Sequence, residues 1–124
     1  MNDVFQKDCP AREILDHIAT RWGLLVLASL SGGGLRFFEL REKIEGISEK
    51  MLSQTLRTLV RDGLVARTVE PTVPPRVSYA LTPLGSSLTE PLCALTSWIR
   101  EHAAEIVQAQ ADYDAAAQGT GRPA

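Results

Sequence analysis

Polar side chains recur at helical spacing between residues 48 and 57. If Leu52, Leu56 and Leu59 form the buried stripe of an α-helix together with Val60, the opposite face is polar. Gln can pair bidentately with adenine, Arg or Lys can pair with guanine, and Ser can bind phosphate or bases. An ordinary solvated helix face is the alternative interpretation. The face alone favours that alternative, but together with a neighbouring turn and wing it predicts DNA contacts made by Ser48, Lys50, Ser53, Gln54 and Arg57.

Three further arginines are candidates for contacts to the DNA backbone. Arg76 follows Pro74 and Pro75, which stiffen the tip of an expected hairpin. A rigid loop that presents one guanidinium suits a phosphate or a narrow minor groove. Arg36 and Arg41 lie before the polar helix and are candidates for phosphate contacts. Each of the three can equally be a plain surface charge.

Two cysteines could supply thiol chemistry. Cys9 lies at the start of an expected helix, whose dipole favours a thiolate, while the neighbouring carboxylate of Asp8 opposes it. Cys9 is therefore a candidate sensor of a small electrophile or oxidant, with a small apolar filler of an interface as the alternative. Cys93 lies near Leu92 and Leu95, where a thiol packed in the core or in an interface is the favoured interpretation. A sensor role for Cys93, or a Cys9–Cys93 bridge between subunits, stays open.

Enzyme chemistry finds no support in the residue pattern. The two cysteines and the single histidines His17 and His102 are scattered, without the spacing of metal ligands. No Ser/His/Asp or Cys/His arrangement and no paired carboxylates stand at a usable spacing. We therefore expect no catalytic residue, no metal and no cofactor.

A helix-turn-helix must position the polar face. Pro10 opens a first helix after Cys9, and Thr20 caps a second that ends at the glycine run 32–34. A short third helix is predicted over 37–44, and a tight turn containing Gly46 follows it. Ser48 caps the fourth helix and Gly63 ends it. A short helix, a tight turn and a capped helix in this order predict a helix-turn-helix.

The rest of the chain predicts a wing and a long helix. Strands over 64–70 and 76–81 flank a Pro-rich loop and form a hairpin. Thr82 and Pro83 start a last helix to about residue 117, which Pro91 can bend, and residues 119–124 are a frayed tail. The fold class is mainly α with a small β-hairpin. One domain spans 1–118, with helix-turn-helix plus wing over 36–82 and flanking helices over 9–31 and 83–117.

Charge distribution agrees with a DNA-reading centre, with chance as the alternative interpretation of a small central excess. The 124-residue chain carries a net charge of −2, but residues 21–80 hold nine Lys or Arg against six Asp or Glu, a net +3. The flanking segments 1–20 and 81–124 carry −2 and −3. No apolar run reaches the length of a membrane span, and the N-terminus lacks the apolar stretch of a signal peptide. We therefore expect a cytoplasmic protein.

Short motifs between Cys9 and Trp98 resemble the HxlR-type transcriptional regulators, a bacterial winged-helix family. The resemblance implies a homodimer built from the first and last helices, over 9–31 and 83–117, with two recognition helices on a pseudo-palindromic operator. It also matches Cys9 to an N-terminal cysteine that senses oxidants or electrophiles in several members. Phe38 departs from the small polar residue usual at a position that would cap the third helix or touch phosphate. The motifs are Cys9-Pro10, Arg36-Phe37, Glu39-Leu40-Arg41, Gly46-Ile47-Ser48, the run Leu52 to Arg57, Asp62-Gly63-Leu64-Val65, Pro74 to Val77 and Tyr79 to Gly85.

The sequence thus predicts a transcription factor that binds double-stranded DNA sequence-specifically as a homodimer, with thiol modification at Cys9 as a candidate switch. A winged helix used only for protein contacts is the alternative. A small-molecule pocket between dimer helices is an alternative sensor. Repression and activation both stay open.

Overall fold

Two helices pack closely at the start of the chain in the computed structural model, which describes residues 3–119. Helix α1 (Pro10–Ile18) begins with Pro10, whose missing N–H costs nothing at a first helical position. Helix α2 (Arg21–Leu30) begins after Thr20, whose Oγ accepts a hydrogen bond from the Gly23 N–H at 3.1 Å. A Cβ atom on Gly23 would lie 2.0 Å from the carbonyl oxygen of His17. The approach of α1 to α2 therefore requires glycine at this position.

The predicted helix-turn-helix is confirmed. Strand β1 (Leu35–Arg36) leads into helix α3 (Phe37–Lys43), and helix α4 (Glu49–Arg61) follows the turn. Gly46 occupies that turn with φ +91°, a conformation that glycine adopts without strain. The Oγ of Ser48 accepts a hydrogen bond from the Met51 N–H at 3.0 Å, so Ser48 caps α4 as predicted. Gly63 follows the end of α4 with φ +75°.

A three-stranded antiparallel sheet includes the predicted hairpin. Strands β2 (Val65–Glu70) and β3 (Arg76–Leu81) pair along their whole length, with Val65 opposite Leu81 and Glu70 opposite Arg76. The two strands and their loop form the wing. Strand β1 pairs with the other edge of β3, which gives the order β1-β3-β2. The sequence did not predict β1, because two residues are too short to show an alternating pattern.

The prediction of one long last helix from Pro83 is wrong. The structure has a short helix α5 (Pro83–Ser86) and a separate helix α6 (Thr89–Gly119). In a continuous helix the ring of Pro91 would clash with the carbonyl of Ser87. The break places Pro91 in the first turn of α6, where the residue is tolerated. The segment 83–117 is therefore two helices.

The end of the chain also differs from the prediction. Gly119 was expected in a frayed tail, but it is the last residue of α6. The remainder of that predicted tail, residues 120–124, lies outside the described residues.

The chain divides into two compact units, of which the first ends at Leu92 and the second begins at Cys93. The prediction of a single domain over 1–118 stays a prediction. The first unit holds the core, to which α2, α3, α4 and the sheet contribute and which fixes the orientation of α4. Its buried apolar side chains are Val26, Leu27, Leu30, Leu40, Ile44, Ile47, Leu52, Leu56, Leu59, Leu64, Val65 and Leu92.

The second unit consists of α6 from Cys93 onward. Several of its apolar side chains are exposed at helical spacing, among them Leu95, Ile99, Ile106 and Tyr113. The ring of Trp98 stacks on that of His102 with centroids 4.3 Å apart. Within residues 3–119, no helix combines the length and the apolar character needed to cross a membrane.

Candidate nucleic-acid interface

The polar face of α4 is accessible. Leu52, Leu56 and Leu59 are at most 2% exposed and hold α4 against the core. The opposite side carries the five predicted residues together. Ser53 is half-buried, while the other four are exposed, namely Ser48, Lys50, Gln54 and Arg57.

The charged groups on this face are available for a ligand. Among residues 3–119, no carboxylate lies within ion-pair distance of Lys50 or Arg57. The Oγ of Ser48 accepts its capping bond through a lone pair, so its hydroxyl proton remains available for donation. The start of α4 therefore offers a helix dipole and a hydroxyl donor, with a cation at Lys50, on one surface.

Arg36 and Arg41 each contact a side chain that lies within eight residues in the sequence. The Nη1 atom of Arg41 lies 3.9 Å from a carboxylate oxygen of Glu49. The guanidinium carbon of Arg36 lies 5.1 Å from the centroid of the Phe38 ring. Arg36 is also the N-cap residue of α3, and its N–H donates to Glu39 Oε1 at 2.8 Å. The idea that the Phe38 position caps α3 is thus wrong, because Phe38 lies inside the first turn.

Arg76 lies at the far end of the wing. It is the first residue of β3 and stands opposite Glu70, rather than in the loop itself. In the loop, Thr72 Oγ1 donates to the carbonyl of Pro74 at 2.8 Å. Arg76 is exposed, and no carboxylate of the described residues pairs with its guanidinium at 4.0 Å or less. The geometry leaves this cation accessible beyond the end of the sheet.

Sequence reasoning missed two residues beside α4. Arg67 on β2 and Tyr79 on β3 line a cleft of about 230 Å³ together with Ser53 and Arg57. A signal for Arg67 existed in the sequence. It alternates with Val65 and Val69, so period-2 spacing puts a charge on an otherwise apolar strand face.

Cys9 lies beneath the N-terminal segment, residues 3–8. It is 7% exposed, and its Sγ accepts a hydrogen bond from the Asp3 N–H at 2.9 Å. The guanidinium of Arg12 donates to the carbonyl oxygens of Val4 and Phe5 at 2.9 and 2.8 Å. These bonds hold the segment across the thiol.

Cys93 is exposed in the protomer. A thiol packed within its own chain is therefore the wrong interpretation for Cys93. Packing in an interface stays a prediction.

His17 links α1 to the end of α4. Its Nδ1 lies 2.7 Å from Oδ2 of Asp62, the C-cap residue of α4, and its Nε2 lies 3.8 Å from Glu13 Oε1. Among residues 3–119, no group of three or more possible metal ligands occurs. The contact between His17 and Asp62 joins the helix that follows Cys9 to the helix that carries the polar face.

A capped helix after a tight turn, with an antiparallel wing behind it, defines a winged helix-turn-helix protein. The chain belongs to the HxlR-like helix-turn-helix family, which matches residues 17–107. The HTH-type transcriptional regulator YtfH of Escherichia coli is 47% identical over 105 residues, 85% of this chain and 83% of that protein.

Solved structures agree. The transcriptional regulator ytfH of Salmonella typhimurium superposes with a TM-score of 0.83 at 42% identity, covering 89% of this chain and 98% of that one. The redox regulator HypR in its oxidised form superposes with a TM-score of 0.70 at 34% identity, covering 75% of this chain and 96% of that one. The chain is a transcriptional regulator of the helix-turn-helix type and not an enzyme.

Proposed function

We propose that the protein binds a pseudo-palindromic operator sequence-specifically as a homodimer, with α4 of each subunit in the major groove of one half-site. The polar face of α4 is the observation that carries this proposal. Recognition helices contact base edges from their N-terminal turns, where Lys50, Ser53 and Gln54 lie. Ser48 and Arg57 extend that face at either end.

The length of this face sets the size of the half-site. Lys50 and Arg57 are seven residues apart, which is about 10 Å along a helix. Base pairs stack about 3.4 Å apart, so the face spans about three of them. Gln54 suits adenine, and Lys50 and Arg57 suit guanine. Arg36, Arg41 and Arg76 add phosphate contacts on either side, which fix the position of α4 in the groove.

A second copy of the chain is the proposed occupant of the exposed apolar stripe on α6. Leu95, Ile99, Ile106 and Tyr113 are 42–59% exposed and recur at intervals of four and seven residues. Such spacing is typical of a helix seam buried by a partner helix. Ile14 on α1, which is 44% exposed, is a separate candidate for burial in the homodimer.

Sedimentation equilibrium tests the homodimer. We expect the wild-type protein to sediment as a dimer and the double variant Ile99→Glu/Ile106→Glu as a monomer. Ala104→Glu is the matched control, because it adds a charge on the opposite side of α6 by helical geometry. A wild-type monomer at concentrations above those of DNA binding would contradict the proposal.

Fluorescence anisotropy with DNA flanking the protein's own coding region tests sequence-specific binding. Arg57→Ala should lower affinity for that DNA by about 5- to 150-fold, the cost of about 1–3 kcal/mol for one base contact. Arg76→Ala should weaken binding to specific and random DNA alike and reduce the salt dependence. Lys7→Ala, which removes an exposed charge outside the helix-turn-helix, is the control. Equal affinity of the wild type for flanking and random DNA would refute sequence-specific binding.

We further propose that modification of Cys9 by an oxidant or electrophile changes operator affinity. The Sγ atom is buried against the Asp3 N–H, so an added group must displace the N-terminal segment at the start of α1. Helix α1 contacts the end of α4 through His17 and Asp62. A redox role is named for the relative HypR. Because the proposed function is DNA binding, we also expect the protein in the cytoplasm.

Diamide or a quinone, added before the anisotropy measurement, tests the switch. Operator affinity of the wild type should change, and Cys9→Ser should abolish the response. Cys93→Ser is the control for reaction at the second thiol. If Cys93→Ser abolishes the response as well, a bridge between Cys9 and Cys93 of two subunits forms, visible as a dimer band without reductant. A full response in Cys9→Ser would rule out Cys9 as the sensor.

A further inference from the structure

Arg67 is a cation on the inward face of the wing. Because side chains alternate along a strand, Arg67 shares a face of β2 with Val65 and Val69. Val65 is 2% exposed and belongs to the core, so this face is the one turned toward α4. The register adds the three facing residues of β3, which are uncharged, namely Leu81, Tyr79 and Val77. Arg67 is therefore the single charged residue among six on this face.

The cleft between α4 and the wing has the chemistry of an anion site. Ser53, Leu56, Arg57 and Val60 line it from α4, at helical spacings of three and four residues, and Arg67 and Tyr79 line it from the sheet. Two guanidinium groups and two hydroxyl groups are thus present without a carboxylate. Within residues 3–119, neither arginine lies within ion-pair distance of an acidic side chain.

We propose that this cleft binds a phosphodiester of the DNA backbone, with Arg67 as the principal donor. The inference rests on the proposed function, because it needs α4 in the major groove. A guanidinium fits two phosphate oxygens with parallel N–H bonds, and Ser53 and Tyr79 add hydroxyl donors. The cleft holds about 230 Å³, which accommodates a phosphate group and bridging water.

The position of the cleft favours a backbone phosphate over a small phosphorylated molecule. Its walls are the recognition helix and the wing, the two elements that approach DNA in the proposed complex. In the proposed complex, a DNA strand that leaves the major groove occupied by α4 must pass the wing. Arg57 stands at the boundary between the base-reading face and the cleft, whereas Arg67 lies in the cleft alone. Variants of Arg67 therefore test the phosphate contact separately from base reading.

Fluorescence anisotropy across a range of salt concentrations tests the inference. Arg67→Met keeps most of the aliphatic stem and should weaken binding to specific and random DNA by about tenfold. The slope of log affinity against log salt should become smaller by about one. Arg67→Lys should restore the slope, and Tyr79→Phe should weaken binding about threefold. Lys7→Met is the charge-matched control and should match the wild type.

Wild-type affinity and slope in Arg67→Met, with loss of specific binding in Arg57→Ala, would overturn the phosphate cleft and leave the proposed function intact. Absence of salt-sensitive DNA binding by the wild type would overturn both. Sodium phosphate against sodium chloride of equal ionic strength tests the other source of phosphate. If phosphate raises the Tm of the wild type but not of Arg67→Met, and the DNA slope is unchanged, the cleft binds a free phosphate and the backbone assignment is wrong. If Arg67→Met fails to fold, Arg67→Lys and Tyr79→Phe carry the test.

Discussion

Ser48 has two separable roles, which a pair of substitutions at this residue tests. Its Oγ accepts the Met51 N–H at 3.0 Å and caps α4, and its exposed side chain belongs to the proposed DNA-binding face. Ala removes the acceptor. Asp keeps an acceptor of equal quality and adds a negative charge that favours the helix N-terminus but repels phosphate. Ser48→Ala and Ser48→Asp should therefore rank oppositely in stability and in DNA affinity.

The expected stability changes follow from the capping bond. Loss of an N-cap acceptor costs about 1 kcal/mol, which lowers the Tm of a chain of this size by about 3–5 °C. Ser48→Ala should show this loss in thermal unfolding followed by circular dichroism. Ser48→Asp should stay within about 2 °C of the wild type, because Asp and Ser are equivalent caps.

The expected affinities run the other way. A carboxylate about 6 Å from a phosphate costs about 0.7 kcal/mol at the dielectric constant of water and about 3 kcal/mol at an effective value of about 20. Operator affinity of Ser48→Asp should fall by about 3- to 100-fold, and by more than that of Ser48→Ala.

The control is Gln6→Glu, which adds one negative charge at an exposed position outside the helix-turn-helix. It should leave affinity unchanged. Wild-type affinity in Ser48→Asp would refute the placement of the α4 N-terminus on DNA. Equal stability of Ser48→Ala and the wild type would refute the capping argument.

Two further predictions concern the scaffold around α4, each checked by chemical unfolding. Gly23→Ala should destabilise by about 1–3 kcal/mol, because its Cβ would lie 2.0 Å from the His17 carbonyl oxygen and force α1 from α2; an unchanged midpoint would contradict that close approach. Thr82→Val should cost about 1–3 kcal/mol, since Thr82 Oγ1 donates to the Gly63 carbonyl at 2.6 Å and accepts the Gly85 N–H at 3.0 Å. Thr82→Ser keeps both bonds and should retain most of the stability.

The helix ends were predictable because each carries a local chemical signal. Thr20 and Ser48 supply hydroxyl acceptors, Pro10 suits a first turn, and Gly63 permits the positive φ after α4. These signals act within four residues and do not depend on the rest of the fold. The break before Thr89 had such a signal in Pro91 as well. The prediction of a bend at Pro91 is wrong, because a proline can also end one helix and start another.

The missed features depend on contacts between distant segments. Strand β1 exists because Leu35 and Arg36 pair with Tyr79 and Ser78, more than forty residues away. The cleft beside α4 depends likewise on the placement of β2 against that helix. The alternation of Val65, Arg67 and Val69 showed which side of the strand Arg67 occupies, but only the fold shows what that side faces.

Helix α4 is anchored at both ends, and this bears on how a signal would act on DNA binding. Its N-terminus is fixed by Ser48, within the turn that follows α3. At its C-terminus, Asp62 contacts His17 on α1, and the carbonyl of Gly63 accepts the Thr82 hydroxyl that precedes α5. In the proposed switch, a displacement of α1 would act on the C-terminal anchor of α4 and leave the N-terminal cap in place. If α4 reads bases as proposed, a small tilt of the helix would lower affinity, because base contacts have strict distances. The proposed switch at Cys9 would then need only to move α1, and the buried Sγ at the N-terminus of that helix is where an added group would act.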